Sequence, residues 1–178
     1  CVCGVASQFD AYFFEPGSEN FHRAWQSYKL MPDLVRFTKT EWNRRELEVL
    51  VGTSSVVGGP SFDVDLFRPR PRTGPEPPDR PLRIAAMIRP ETPYRNPRQT
   101  MELLGDTVQR FGDGVEIVLF GCDPEDKAFR ALPHAFPWRC AGQLTARQVA
   151  RLLNEVDVFV DFSSHQAMGL TALEAMAC

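Results

Sequence analysis

"LRIAAMIRPETPYRNPRQTMELLGDTVQRFGDGVEIVLFG", residues 82–121, decides the fold. Its first seven residues are apolar except for Arg83, with no polar–apolar alternation, as in a strand buried on both faces. Residues 97–111 then carry Met101, Leu104 and Val108 at helical spacing. Pro97 is acceptable in the first turn of that helix, and Asn96 before it is a candidate cap. Residues 115–121 form a second apolar run. Strand, helix, strand with continuous apolar strands predicts a parallel sheet covered by helices on both faces.

The same rhythm extends outward in both directions. Downstream come a short helix (124–132), a short strand (139–142), a helix capped by Thr145 (145–155), a strand (156–163) and a final helix (169–177). Upstream, residues 34–38 and 54–59 read as strands. Residues 39–50 between them read as a helix behind Thr40, with Trp42, Leu47 and Leu50 as its apolar stripe. Before these, Ser18 caps an expected helix over 20–30 that turns Phe21, Ala24, Trp25 and Tyr28 to one side. Residues 68–81 hold six of the fifteen prolines in the 178-residue chain. Proline fixes φ and removes a donor, so this stretch reads as an extended linker rather than helix or central strand. The fold class expected is α/β with Rossmann-like sheets. The division expected is a first domain over 1–69, a linker over 70–81 and a second domain over 82–178.

The chain is 43% hydrophobic and 24% charged with a net charge of −3, values that suit a folded globular protein and disfavour a nucleic-acid binder. No apolar run has the length of a membrane span, and no charged-then-apolar leader follows Cys1. The five cysteines are widely spaced and do not repeat at zinc-binding intervals, so reduced thiols are expected. The last residues, "HQAMGLTALEAMAC", stop inside an apolar helix without a cap. Both ends read as cuts in a longer chain.

Sheets of this class bind ligands beyond the carboxyl ends of their strands, which directs attention to the residues after Ile88, Gly121, Gly142 and Phe162. After Ile88, Arg89, Arg95 and Arg98 stand in a loop stiffened by Pro90, Pro93 and Pro97. Guanidinium groups held there would suit a phosphate-bearing ligand, although charge-rich loops are usually just solvated. After Phe162, the run Ser163, Ser164, His165, Gln166 leads to Gly169 and a helix start, where backbone N–H groups can hold phosphate. Glu174 lies about a turn and a half into that helix. A surface glutamate is the commoner reading, but its neighbours Leu173, Ala175, Met176 and Ala177 are apolar. His22, His134 and His165 have no partners at metal-ligand spacing.

The tail resembles the donor-site signature of retaining GT-B glycosyltransferases of the family 4 type. That signature reads Glu-Gly-Phe-Gly-Leu, three variable residues, then Glu-Ala-Met-Ala-Cys-Gly. Gly169-Leu170 and Glu174 to Cys178 match it in place. "SFDVDLFRP" (61–69) resembles the run that ends the family's first domain, with Asp63, Phe67 and Pro69 in place and Ser61 where a glycine is usual. Arg89 matches the family's loop arginine, and Arg95 roughly takes the place of its lysine. "FFEPGSENFHRAWQSYKL" (13–30) is similar to bacterial polysaccharide rhamnosyltransferases. The chain departs from the pattern at Gln166, where the family has its first glutamate, and at Ala167 and Met168, where it has Gly and Phe.

The resemblance implies a GT-B fold and transfer of a sugar from a nucleotide-diphosphate sugar to a glycan or lipid-linked acceptor. It implies retention of configuration, no bound metal and no cofactor beyond the donor substrate. Arg89 and Arg95 would neutralise the leaving diphosphate, and N–H groups at Gly169 and Leu170 would hold its oxygens. Glu174 would take the ribose hydroxyls and Gln166 the sugar, with His165, Met168 and Thr171 completing the donor site. The resemblance further implies polysaccharide biosynthesis in a bacterial cytoplasm, peripheral association with the inner face of the membrane, and no activity in the isolated piece. Two alternatives stay open: a GT-B domain that binds nucleotide sugars without transfer, which Gln166 suggests, and a GT-B-fold sugar-nucleotide epimerase.

Overall fold

The computed structural model describes residues 3–6, 9–59, 61–72, 77, 79–166 and 168–178. They fall into two compact units, Cys1–Ser61 with His165–Gly169, and Phe62–Ser164 with Leu170–Cys178.

In the first unit, strands β1 (Cys3–Ala6), β2 (Val35–Thr38) and β3 (Val56–Val57) form a parallel sheet in the order β1-β2-β3. Helix α1 (Glu19–Ser27) links the first two strands and α2 (Glu41–Glu46) the next two. The Ser18 hydroxyl accepts from Phe21 N at 3.1 Å, as expected of a cap. Thr40 caps α2 through Asn43 N in the same way. A short 3-10 turn, Asp10–Phe13, brings Phe9 and Ala11 into a core with Tyr28, Leu47 and Val51, against which Phe21, Ala24 and Trp25 pack. Phe9 stacks on Tyr28 with ring centroids 5.4 Å apart.

Two expectations are corrected here. Helix α1 stops at Ser27 and not at residue 30: Lys29 N and Leu30 N turn to the carbonyls of Gln26 and Ser27 in tighter bonds, and Arg36 takes the Tyr28 carbonyl; Leu30 is left 76% exposed. The helix expected over 39–50 is α-helical only to Glu46 and continues as a π turn, Leu47–Val51. The wider turn brings Val51 onto the buried face beside Leu47, and Trp42 and Leu50, expected on the inner stripe, are exposed. Gly52, at φ 72°, ends the turn in the left-handed region.

In the second unit, β4 (Leu82–Met87), β5 (Val115–Phe120), β6 (Arg139–Cys140) and β7 (Val158–Val160) form a parallel sheet in the order β6-β5-β4-β7. Successive residues point to opposite faces. Ile84, Ala86, Ile117 and Leu119 pack under α3 (Pro97–Phe111) and α4 (Lys127–Arg130) through Met101, Leu104 and Phe129. Ala85, Val118 and Phe120 pack on the other face against Leu152 of α5 (Ala146–Glu155). Helix α6 (Leu170–Ala177) joins that second face, where Ala175 and Ala177 pack with Ala150 and Leu153. The run "FDVDLF" (62–67) docks there too, with Phe67 only 5% exposed beside α5.

Gly121, at φ 83°, ends β5 where a Cβ would stand 2.9 Å from Met87 Cγ. Helix α4 is shorter than the expected 124–132, since Asp123 and Asp126 take the N–H groups of Glu125 and Ala128 with their side chains and hold a turn ahead of it. The Thr145 cap is present and reciprocal, with Gln148 Oε1 2.8 Å from Thr145 N.

The proline-rich run is anchored at both ends. Arg72 and Arg80 converge on Asp157 at the entrance to β7, Arg72 Nη2 at 2.8 Å and Arg80 through both Nη1 and Nη2 at 2.6 Å. Arg83 N donates to the same carboxylate at 2.8 Å. Arg72 also donates to Val156 O, and Asn154 bonds Arg70 N and Arg68 O. The Arg80 bonds first, then those of Arg83 N and Arg72, outweigh burial and hold the Asp157 carboxyl well below the usual carboxylate range.

Asp157→Asn is expected to destabilise the fold by about 2 kcal/mol, the scale of hydrogen bonds to a charged group. A depressed folded-state pKa contributes stability that is complete above the unfolded value of about 3.9 and is lost as pH falls toward the folded one. Urea midpoints measured between pH 7 and pH 3 should therefore converge for wild type and variant on acidification. A constant gap would show that the carboxylate's charge is not what stabilises this corner.

Candidate functional site

In the order β6-β5-β4-β7 the chain adds strands to one side of β4, then crosses to add β7 on the other. The helices that follow β4 and β7, α3 and α6, lie on opposite faces of the sheet. The strand order therefore reverses between β4 and β7, and the carboxyl ends of these two strands are its switch point. This is the position where such sheets hold ligands.

The two loops are tied together. After β4, Thr92 N donates to Arg89 O at 3.0 Å, Pro93–Arg95 form one 3-10 turn, and Asn96 enters α3 at φ 47°. After β7 come Asp161 to Ser164. Ser164 N and Oγ both donate to Tyr94 O, at 2.9 and 3.1 Å. Asn96 Nδ2 donates to Phe162 O at 2.8 Å. Asn96 stands at the cap position, but its side chain makes no bond to its own helix, which corrects the expected capping role. The left-handed backbone points the amide across to the neighbouring loop, and asparagine tolerates that conformation better than most residues.

Arg95 lies within this frame. Its Nη1 is 3.9 Å from Asp161 Oδ2, and its guanidinium sits 5.8 Å from the centroid of the Tyr94 ring. Asp161 Oδ1 accepts from Ser163 N at 2.9 Å and from Ser163 Oγ, so the acid is fixed by its own loop. Asp161 is the residue that sequence reasoning missed; its one visible signal is an acid at the end of an apolar strand. Arg89 is exposed at the strand mouth, and no ion-pair partner is found for it among the described residues. Its charge reaches the buried Cys122 thiol. There it weakly opposes burial, the main effect, and the nearby Cys140, which together push that thiol up to about 12. Arg98 turns away and donates to Ala131 O at 3.2 Å.

Glu174 is half-buried on α6, with Thr171 one turn before it and Leu170 exposed at the helix start. Among the described residues it has neither an ion pair nor a hydrogen bond. Burial alone raises its carboxyl above the ordinary value. His165, Gln166, Met168 and Gly169 fall in the first unit. There the His165 ring lies 5.8 Å from that of Tyr12. Gln166 and Met168 are half-buried, and Gly169 has φ 63°. Ala167 lies outside the described residues. Of the predicted residues, Arg89, Arg95, Leu170, Thr171 and Glu174 belong to the second unit and the other four to the first.

No protein-family model matches the chain, and no curated protein matches it by sequence. Among solved structures it is similar to TarM of S. aureus, a GT-B glycosyltransferase, in the crystal structure of a point mutant in complex with fondaparinux, alpha-GlcNAc-glycerol and UDP. The TM-score is 0.65 at 14% sequence identity, over 98% of this chain and 34% of that one. The chain therefore spans about a third of the length of the protein it matches. At this identity the likeness establishes the fold, which is α/β of the GT-B type with parallel sheets flanked by helices.

Proposed function

We propose that the chain is the donor-binding part of a glycosyltransferase that uses a nucleotide-diphosphate sugar. The observation that carries this reading is Glu174, a half-buried carboxylate without a partner among the described residues, on the helix that follows the switch-point strand β7. A desolvated carboxylate needs donors, and the vicinal hydroxyls of a ribose provide two. Arg89 and Arg95 occupy the loop after β4, where positive charge would stabilise a departing diphosphate. Asp161 and Tyr94 orient Arg95 and offset part of its charge, which leaves Arg89 as the stronger electrostatic contributor. N–H groups at Gly169 and Leu170 would hold phosphate oxygens, and Gln166 would hydrogen-bond the sugar. His165, Met168 and Thr171 would line the remainder.

The finer reading follows the resemblance in the tail: a family 4 type, retaining, metal-independent enzyme of bacterial polysaccharide synthesis. Its acceptor would be a glycan or a lipid-linked sugar, and it would work in the cytoplasm at the inner membrane face. Gln166 favours a second reading, a domain that binds nucleotide sugars without transferring them, because an amide cannot supply the charge of the family's glutamate. Gln166→Glu in the full-length protein separates the two. Activity gained from an inactive parent supports the second reading, whereas an active parent supports the first.

Glu174→Gln tests the donor site. An acid whose pKa is raised by folding binds protons more readily in the folded state, so its ionised form opposes folding at neutral pH. The variant should melt at a higher temperature than wild type and yet bind UDP or another nucleoside diphosphate at least tenfold more weakly, about 1.4 kcal/mol. Calorimetric titration with a panel of nucleoside diphosphates reads both the base preference and the loss. Equal affinities in wild type and variant would remove Glu174 from the site, and absence of binding by any nucleoside diphosphate would end the donor-site reading.

A further inference from the structure

Among the described residues, one buried cation of the first unit lacks a counter-charge. Arg36, the second residue of β2, is 6% exposed. Its guanidinium donates only to main-chain carbonyls, Nη1 to Leu34 O at 3.0 Å and Nη2 to Tyr28 O and Met31 O at 2.6 and 2.7 Å. Of the acids nearby, Asp10 bonds the Tyr28 hydroxyl, Glu46 bonds Tyr12, Glu41 and Glu48 pair with Arg44, and Asp33, exposed on the loop before β2, makes no ion pair with Arg36. Carbonyls at a helix end carry only a fraction of a charge, so the guanidinium is solvated without being neutralised. Three of its five N–H groups are used, leaving Nε–H and one Nη1–H.

A cavity of about 410 Å³ opens beside it. Tyr28, Lys29, Arg36, Thr53 and Ser54 are its polar lining residues, with two cations, three hydroxyls and no acid. Lys29 Nζ is held 4.4 Å over the Trp25 ring, and the Ser55 hydroxyl next along the chain is buried without a partner among the described residues. The lining segments precede β2 and β3, so the cavity lies at the amino ends of the strands, the end opposite the one where such sheets hold substrates. Three strongly exposed aliphatic residues adjoin these segments in sequence: Leu30 at 76%, Met31 at 51% and Val49 at 79%.

We infer that this cavity is a binding site for a phosphate group, held by Arg36 and Lys29 with the hydroxyls of Thr53 and Ser54. Arg36 keeps its full charge and two N–H groups that the carbonyls do not use, and Lys29 adds a point charge. The phosphate is either that of a soluble compound or the headgroup of an anionic lipid, with the exposed aliphatic residues favouring the headgroup. The inference is independent of the transferase reading.

The test uses two probes on the intact protein at fixed ionic strength: titration with inorganic phosphate, and co-sedimentation with phosphatidylglycerol–phosphatidylcholine vesicles against phosphatidylcholine alone. Each is repeated on Lys29→Glu, a variant of a partly solvated side chain whose unchanged melting temperature certifies its fold, and on Thr53→Val. Saturable binding of at least one probe, weakened tenfold or more by Lys29→Glu and less by Thr53→Val, is expected. Phosphate binding without vesicle binding assigns a soluble ligand; vesicle binding that phosphate competes away assigns a headgroup. If neither probe binds, or if Lys29→Glu leaves binding unchanged, Arg36 serves only to cap the carbonyls that follow α1 and the site does not exist.

Discussion

The carboxylate of Asp157 is the constraint on which the second unit depends. It stands where α5 gives way to β7, and it is bonded by Arg72, Arg80 and the main chain of β4. Strand β7 is three residues long and meets the sheet only through β4. Its short ladder leaves little to fix its register, which the Asp157 bond to Arg83 N supplies from one end and the bonds of Ser164 to Tyr94 O from the other. Polar contacts thus hold both ends of this short strand, while Phe159 and Val160 pack along it.

That arrangement has an electrostatic side. The amino end of the sheet carries a closed set of charges: Asp157 with two arginines, and Glu116 between Arg83 and Arg139. At the carboxyl end the balance is open. Arg95 has one acid at the limit of ion-pair distance, and Arg89 has none among the described residues.

Much of this architecture is legible in the sequence, for a physical reason. Residues 82–88 and 115–121 are apolar without alternation, and only burial on both faces accounts for that. Met101, Leu104 and Val108 give α3 its phase directly. What escapes is non-local or short. β1 spans four residues within a stretch marked chiefly by aromatic content, the π turn at 47–51 shifts the phase of an otherwise ordinary helix, and strand-like runs at 54–59 and 156–163 shrink to two and three paired residues. At the site, the position of Arg89 at a strand mouth follows from the apolar run before it. The partnership of Arg95 with Asp161 does not, because it joins residues far apart in sequence through a bend that only the folded loops create. Asn96 reads as a cap because asparagine is common there; its left-handed backbone sends the amide elsewhere.

The anchoring of Arg72 and Arg80 to a single side chain has a consequence for how this protein can vary. Two points of the chain eight positions apart are held together at one carboxylate, which closes a loop between Arg72 and Arg80. The entropy of closing such a loop grows only slowly with its length. Homologues should therefore differ in length here freely, and a peptide tag or fluorescent reporter inserted between the two arginines should leave β7 in register.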